Sequence, residues 1–309
     1  MLGSLVNGII LGSIITLGAI GVTLVADILN FFNFAHGAIF TLGAYFTYLY
    51  LNLLPETGTM FSLSFGPGMI LAIGLSMIST SVVVVVFDKI IFRTLRRRNA
   101  SSLFLGLTSL GLVFVMKAGI SMIWGPQVHY YGPIQSAINF PLGIKVKPDE
   151  FFIVAASLIL VLVSYLFLKY TRLGKAMRAT SDNVTLARAS GVETEKIVTW
   201  TWVMSASLAA MGGSLYGIEV QLRPTMGWSF LIPMFVAVIV GGVGSFGGAL
   251  LGGMIIGISE ELVTSLLQDM FLSLNMNVIM SAYKPAIAFV MVIIILLVRP
   301  HGIFGKKGA

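Results

Sequence analysis

Between Asn30 and Gly37 the chain reads NFFNFAHG, two amides and an imidazole inside otherwise apolar sequence. Side chains of these types carry hydrogen-bond donors and acceptors. In hydrocarbon each is costly unless partnered. Two kinds of chemistry fit the spacing. Asn33 and His36 can satisfy backbone groups freed by an interrupted helix, or they can border a polar path through a membrane. A second interruption, VGGVGSFGGALLGGMIIG at 240–257, is dense in glycine and contains Gly244 and Ser245. Paired interruptions in the two halves of a chain point to a transport site. Asn33, His36, Gly37, Gly244 and Ser245 are therefore the substrate-path candidates.

Other chemistries find few residues to use. There is no cysteine, which removes disulfides, thiolate metal sites and a cysteine nucleophile. Histidines and carboxylates form no ligand cluster, so no metal or other cofactor is expected. No nucleophile–base constellation of an enzyme is recognisable. The phosphate loop GxxxxGK[ST] is absent, so ATP is not expected to bind by that route. Glu260 and Glu261 lie within an apolar segment and need protein or water around them. With only distant Asp269 beside them, they make no proton relay. Glu219 and Arg223 read as a structural pair near the outer end of a segment, and Lys117 can snorkel.

The elements that position these residues are membrane helices. Of 309 residues, 57% are hydrophobic and 10% charged, where soluble domains carry about a quarter charged. The mean hydropathy is +0.97. Several runs reach the roughly 20 apolar residues that span a bilayer, and none alternates as a membrane β-strand does. The expectation is an all-α polytopic membrane protein, a single domain over 1–309. It has about 8–9 hydrophobic segments of spanning character, some broken or re-entrant, and cytoplasmic coupling helices.

The net charge of +7 is gathered in three short clusters, which argues against nucleic acid. Lys89, Arg93 and Arg96–Arg98 form the first, Lys169 to Lys196 the second, and Arg299, Lys306 and Lys307 the third. The positive-inside rule places all three, and the C-terminus, in the cytoplasm. Spans are expected near 68–90, 101–123, 150–169, 197–218, 228–241, 249–267 and 284–299, with 54–67 and 124–149 outside. Residues 1–54 hold two apolar stretches around the NFFNFAHG interruption. Their start lacks the basic n-region of a cleaved signal and reads as a first span. Either both stretches cross, or the interruption is buried as a re-entrant turn.

The polar loop TRLGKAMRATSDNVTLARASGVETEKIV, 171–198, has a helix–turn–helix layout. Asp182 is expected to N-cap a short helix, Gly191 to end it at φ > 0, and Thr194 or Glu195 to begin the next. Leu173, Met177, Val184 and Ala187 fall near one face. Such a helix suits docking on a partner, against the plainer reading of a loop whose charges only set topology.

Four stretches together resemble the permease subunits of ABC importers for branched-chain amino acids, the Liv type. They are NFAHGAIFTLGAY (33–45), TRLGKAMRATSDNVTLARASGV (171–192), GGVGSFGGALLGG (241–253) and VRPHGIFG (298–305). The resemblance implies a multi-pass protein of a prokaryotic cytoplasmic membrane. It implies pairing with a second permease subunit, two cytoplasmic ATP-binding subunits and an extracytoplasmic substrate-binding protein. It also makes 171–196 the ATPase-docking loop, with Arg178, Asp182, Ala187, Arg188 and Gly191 as docking candidates. The spacing Ala187-x₃-Gly191-x₅-Ile197 is similar to the importers' docking motif but lacks its initial Glu and final Pro. Similar permeases carry urea or short amides, so the substrate stays open. From the residues alone, an ion-coupled transporter acting by itself and a channel for a small neutral solute stand as alternatives.

Because the chain has no cysteine, topology is directly testable. Ser181→Cys is expected to react with an impermeant maleimide only from the cytoplasmic side, and Ser136→Cys only from outside. The reverse pattern overturns the orientation.

Overall fold

The first 28 helical residues, α1 (Leu2–Leu29), contain no charge before Asp27. At 1.5 Å per residue they extend about 42 Å, more than a hydrocarbon core. The helix stops at Asn30, whose φ of 55° is left-handed and whose N–H bonds the Ala26 carbonyl at 3.1 Å. Asn is among the few residues that adopt this conformation at low cost. The computed structural model describes residues 1–55, 58–60, 63–132, 137–139, 145–274, 279–299 and 302–304. Ser136, Lys306 and Lys307 lie outside them.

After α2 (His36–Leu53), α3 (Pro67–Phe87) passes through a π-helical turn, Asp88–Phe92, into α4 (Arg93–Arg97). Then come α5 (Ser102–Trp124), a two-stranded antiparallel ribbon of β1 (Ile138–Asn139) and β2 (Lys145–Val146), and α6 (Pro148–Tyr170). The polar loop folds as α7 (Arg172–Asp182) and α8 (Val184–Ala189). The chain continues through α9 (Thr194–Glu219), α10 (Met226–Gly241), α11 (Phe246–Ser273), a 3₁₀ turn at Met280–Tyr283 and α12 (Lys284–Val298). The protein is thus all-α and polytopic, with the expected segments present as helices. Five of them, including α1 and α3 with its extension, are long and apolar enough to cross a membrane.

Ion pairs bring the first two basic clusters to one end. Arg93 Nε lies 3.0 Å from Glu195 Oε2 at the start of α9, and Arg96 binds Asp88 at 2.6 Å. The end of α1 is at this basic end too, since Asn30 and Lys169 border the same cavity. The other end holds the α5–α6 connection, where His129 bridges to Leu222 of the α9–α10 connection. Glu219 pairs there with Lys147 at 2.9 Å; the expected pairing with Arg223 is replaced because Lys147 comes within reach only once β2 is placed.

The central helix is α1, buried over 89% of its most apolar window, whereas α3, α5 and α6 turn much of their surface outward. Lipid tails are as apolar as leucine, so burial alone does not hold such helices together, and close van der Waals packing must. Gly8 and Gly12 of α1 meet Gly253 and Gly257 of α11. A Cβ on Gly8 would lie 2.7 Å from the Ile258 Cα, and one on Gly257 would overlap the Gly12 backbone. Each helix therefore carries two glycines four residues apart, facing the other. Gly257→Val is expected to destabilise the protein by about 1–3 kcal/mol or more, read as earlier thermal unfolding in detergent. Gly111→Ala, with nothing within 4 Å of the added methyl, is expected to be silent.

Candidate translocation site

Three phenylalanines hold the interruption after α1. Phe31 lies 5.6 Å from Phe92, which stacks on Trp202 of α9 at 5.2 Å. Phe32 and Phe34 both meet Phe235 of α10, at 5.5 and 5.4 Å. Anchored on both sides, the segment climbs back along α1 and is buried, and α2 then runs on to the end opposite the basic one, so the interruption is buried while both helices extend between the two ends. His36 reaches the level of Gly21, eight residues or about 12 Å from the end of α1. Asn33 is 1% exposed. Its Oδ1 accepts from the Ala35 N–H at 3.1 Å and its carbonyl from the His36 N–H at 3.2 Å. This Asx turn starts α2. The Phe34 N–H donates to Ser109 Oγ at 3.0 Å. Side chains thus satisfy backbone groups that water would otherwise have to reach.

His36 plays no part in that repair. It is fully buried, and a Cβ on Gly21 would lie 2.7 Å from its Cε1. The ring approaches the Gly18 carbonyl, but neither nitrogen has a partner at hydrogen-bond geometry among the described residues. Next to it, Gly37 crosses Gly227 of α10 so closely that a Cβ on either would overlap the other's carbonyl. The Gly227 N–H donates to Thr41 Oγ1 at 3.0 Å.

The second interruption builds a different feature. Gly244, with φ of 80°, turns the chain between α10 and α11, and its N–H donates to Thr23 Oγ1 of α1 at 3.0 Å. Ser245 Oγ accepts from the Gly248 N–H at 3.0 Å and caps α11. Both residues border a cavity of about 1040 Å³ at the basic end. Its other walls are the end of α1 with Asp27 and Asn30, the end of α6 with Tyr165 and Lys169, and α7 with Arg178, Ser181 and Asp182. Its charged lining therefore carries both signs, Asp27 and Asp182 against Lys169 and Arg178.

The loop itself is capped by side chains. Thr171 Oγ1 accepts from the Gly174 N–H at 3.0 Å and starts α7. Asp182 ends α7 instead of capping the next helix; the cap of α8 is Asn183, whose Oδ1 accepts from the Leu186 N–H at 2.9 Å. The shift of one residue arises because α7 continues through Asp182 and only Asn183 is extended. Gly191, with φ of 85°, turns the chain into α9, and Arg188 reaches Thr194 Oγ1 at 3.3 Å. Met177 and Ala187 are buried against the protein's own body, while Arg172, Lys175, Arg188 and Leu186 face outward.

The fold thus gathers Gly244, Ser245, Arg178 and Asp182 around one cavity, although they were nominated for two different roles. Asn33, His36 and Gly37 sit apart, sealed at mid-depth between α1, α2 and α10. Ala187, Arg188 and Gly191 belong to the outer side of the loop.

A family model described as the permease component of a branched-chain amino acid transport system matches residues 4–296. The chain belongs to this family. This permease is 29% identical to the high-affinity branched-chain amino acid transport system permease protein LivH of Salmonella typhimurium, over 97% of this chain and 94% of that one. It is 29% identical to BraD, the corresponding protein of Pseudomonas aeruginosa, over 99% and 96%. A probable LivH of Methanocaldococcus jannaschii is 30% identical over 97% and 91%. The solved structure of PsaBC from Streptococcus pneumoniae in complex with Fab shares the fold, with a TM-score of 0.52 over 98% of this chain and 93% of that one, at 16% identity. As a permease component, the protein is a multi-pass membrane subunit that works with other components of its transport system.

Sequence reasoning missed the three phenylalanine anchors, whose signal was their placement on both sides of Asn33. It also missed Asp27 and Lys169, which reach the cavity from separate helices and carry no shared local pattern. Asn33→Ala leaves the Ala35 N–H without its acceptor and is expected to cost about 1–3 kcal/mol. His36→Leu removes an unpartnered buried imidazole and is expected to leave stability equal or higher. Thermal unfolding of the two variants checks the pair, and a marked loss in His36→Leu would return that ring to a structural role.

Proposed function

We propose that this permease forms the translocation pathway of an ATP-driven importer for branched-chain or related apolar amino acids. The observation that carries the reading is the wall that α7 shares with the cavity at the basic end. One side of α7 supplies Arg178, Ser181 and Asp182 to the cavity. Arg172 and Lys175 of the same helix face outward, as do Leu186 and Arg188 of α8. A partner that moves this helix pair necessarily moves a cavity wall. The opposite wall is the Gly244–Ser245 turn, tied to Thr23 of α1. The expected partners are a second permease subunit, two ATP-binding subunits docked on 171–196 at the cytoplasmic face, and an extracytoplasmic substrate-binding protein. The basic end and the C-terminus are then cytoplasmic, as the positive-inside rule requires. A cavity holding charges of both signs suits a zwitterion better than urea or a neutral amide.

The hinge of the device is Gly191, because its φ of 85° is closed to proline. Gly191→Pro is expected to insert normally, to lose co-purifying ATP-binding subunits and to lose substrate-stimulated ATP hydrolysis. Retention of both activities removes the docking assignment. The same preparation without ATP-binding subunits is expected to move no leucine into proteoliposomes; uptake there would favour an ion-coupled transporter acting alone.

A further inference from the structure

We propose that a cavity at the end opposite the basic loops is a second binding site, one that takes a zwitterionic apolar amino acid on Glu219 and Lys147, with Glu150 behind the pair. This inference rests on the importer reading, which makes that end extracytoplasmic.

The cavity measures about 670 Å³, within the range of small-molecule sites. It lies where the ends of α2 and α9 meet the start of α3, and Lys147 and Glu219 are on its wall. Lys147 Nζ is 2.9 Å from Glu219 Oε1 and 4.0 Å from Glu150 Oε1. Glu150 is 6% exposed, and its Oε2 has no hydrogen-bond partner among the described residues. Oε2 of Glu219 is also buried without one. Two carboxylates therefore share one ammonium, and each keeps an oxygen with no donor. The neighbouring carboxylate differs. Asp149 is satisfied by Ser64, through its N–H at 2.9 Å and its hydroxyl at 2.5 Å.

A buried carboxylate oxygen without a donor is costly, and the cost is met by supplying N–H groups. A primary ammonium carries three donors. A metal ion fits less well, because the described residues hold no group of three His, Cys, Asp or Glu arranged to bind one. An α-ammonium on the cavity side of Glu219 frees Lys147 to meet the carboxylate of the same ligand, with Glu150 4.0 Å from the Lys147 ammonium. Leu51, Leu54, Phe65 and Met69 supply an apolar wall, which suits an aliphatic side chain. A lysine or arginine of a docking protein would answer the carboxylates but has no use for the apolar wall.

The test uses the assembled importer in lipid nanodiscs, without its binding protein, and radiolabelled L-leucine. Saturable binding is expected. Glu219→Gln and Lys147→Gln are each expected to weaken it about tenfold or more, the scale of one lost charge-assisted hydrogen bond. L-Leucinamide, which keeps the ammonium, is expected to compete better than 4-methylpentanoate, which lacks it. A second measurement avoids the carboxylates. Asn52→Cys, on the cavity wall, should be labelled by an impermeant maleimide, and L-leucine should slow the labelling. Unchanged affinity in both glutamine variants, or labelling indifferent to leucine, overturns the site. Variants that lose only their capture of the binding protein overturn it too, in favour of a docking contact. If the importer takes up leucine without saturable binding here, this site fails and the importer reading stands. If it takes up no branched-chain amino acid even with its binding protein, both fail.

Discussion

Helices in a lipid solvent gain little from hiding apolar surface from one another, and this constraint shapes the molecule. What remains is contact at short range. The facing glycine pairs of α1 and α11 let two backbones touch along several turns. Gly37 and Gly227 do the same where α2 crosses α10. A methyl group at any of these positions pushes the helices apart and stretches the hydrogen bonds that join them, Thr16 to the Leu250 carbonyl and Gly227 to Thr41. The burial of α1 follows from this, and both interruptions are positioned relative to α1.

An interruption in hydrocarbon is tolerated only where its backbone groups are satisfied and its chain is pinned. After α1 those tasks are divided among neighbouring residues. Phe31, Phe32 and Phe34 pin the segment to α9, the Asp88–Phe92 turn and α10. Asn33 and Ser109 satisfy its amides. His36 is left with a buried ring and no bonding duty, which separates it physically from Asn33 three residues earlier. Between α10 and α11 the turn is short and opens on a cavity, so Gly244 and Ser245 are capped locally and by Thr23.

On the proposed function, the cavity at the basic end joins the pathway to the loop that a partner would push. Arg178 and Asp182 lie on the exposed side of α7, whose buried residues include Met177 and Thr180, and the helix packs against α6, α9 and α1. A rigid helix of 11 residues, capped by Thr171, transmits displacement better than a flexible connector. On the proposed function, this is how the permease would respond to chemistry carried out by another subunit.

The sequence by itself determined the class of solvent, the helical architecture and the grouping of charge at one end. These are local properties: apolar length, helix period and loop composition. The motifs at 33–45, 171–192, 241–253 and 298–305 were together specific enough to point to the family that the comparison shows. The left-handed turn at Gly191 was legible as well, because glycine and its flanking helices are contiguous. Tertiary structure alone decided which interruption faces a cavity. It sealed His36 against Gly21, brought Gly244 beside Asp27 across more than 200 residues of chain, and exchanged Arg223 for Lys147 as the partner of Glu219. The physical reason is the same in each case. Close backbone contact and ion pairing depend on which helices pack, and in lipid that choice rests on shape at the contact, which no single segment displays.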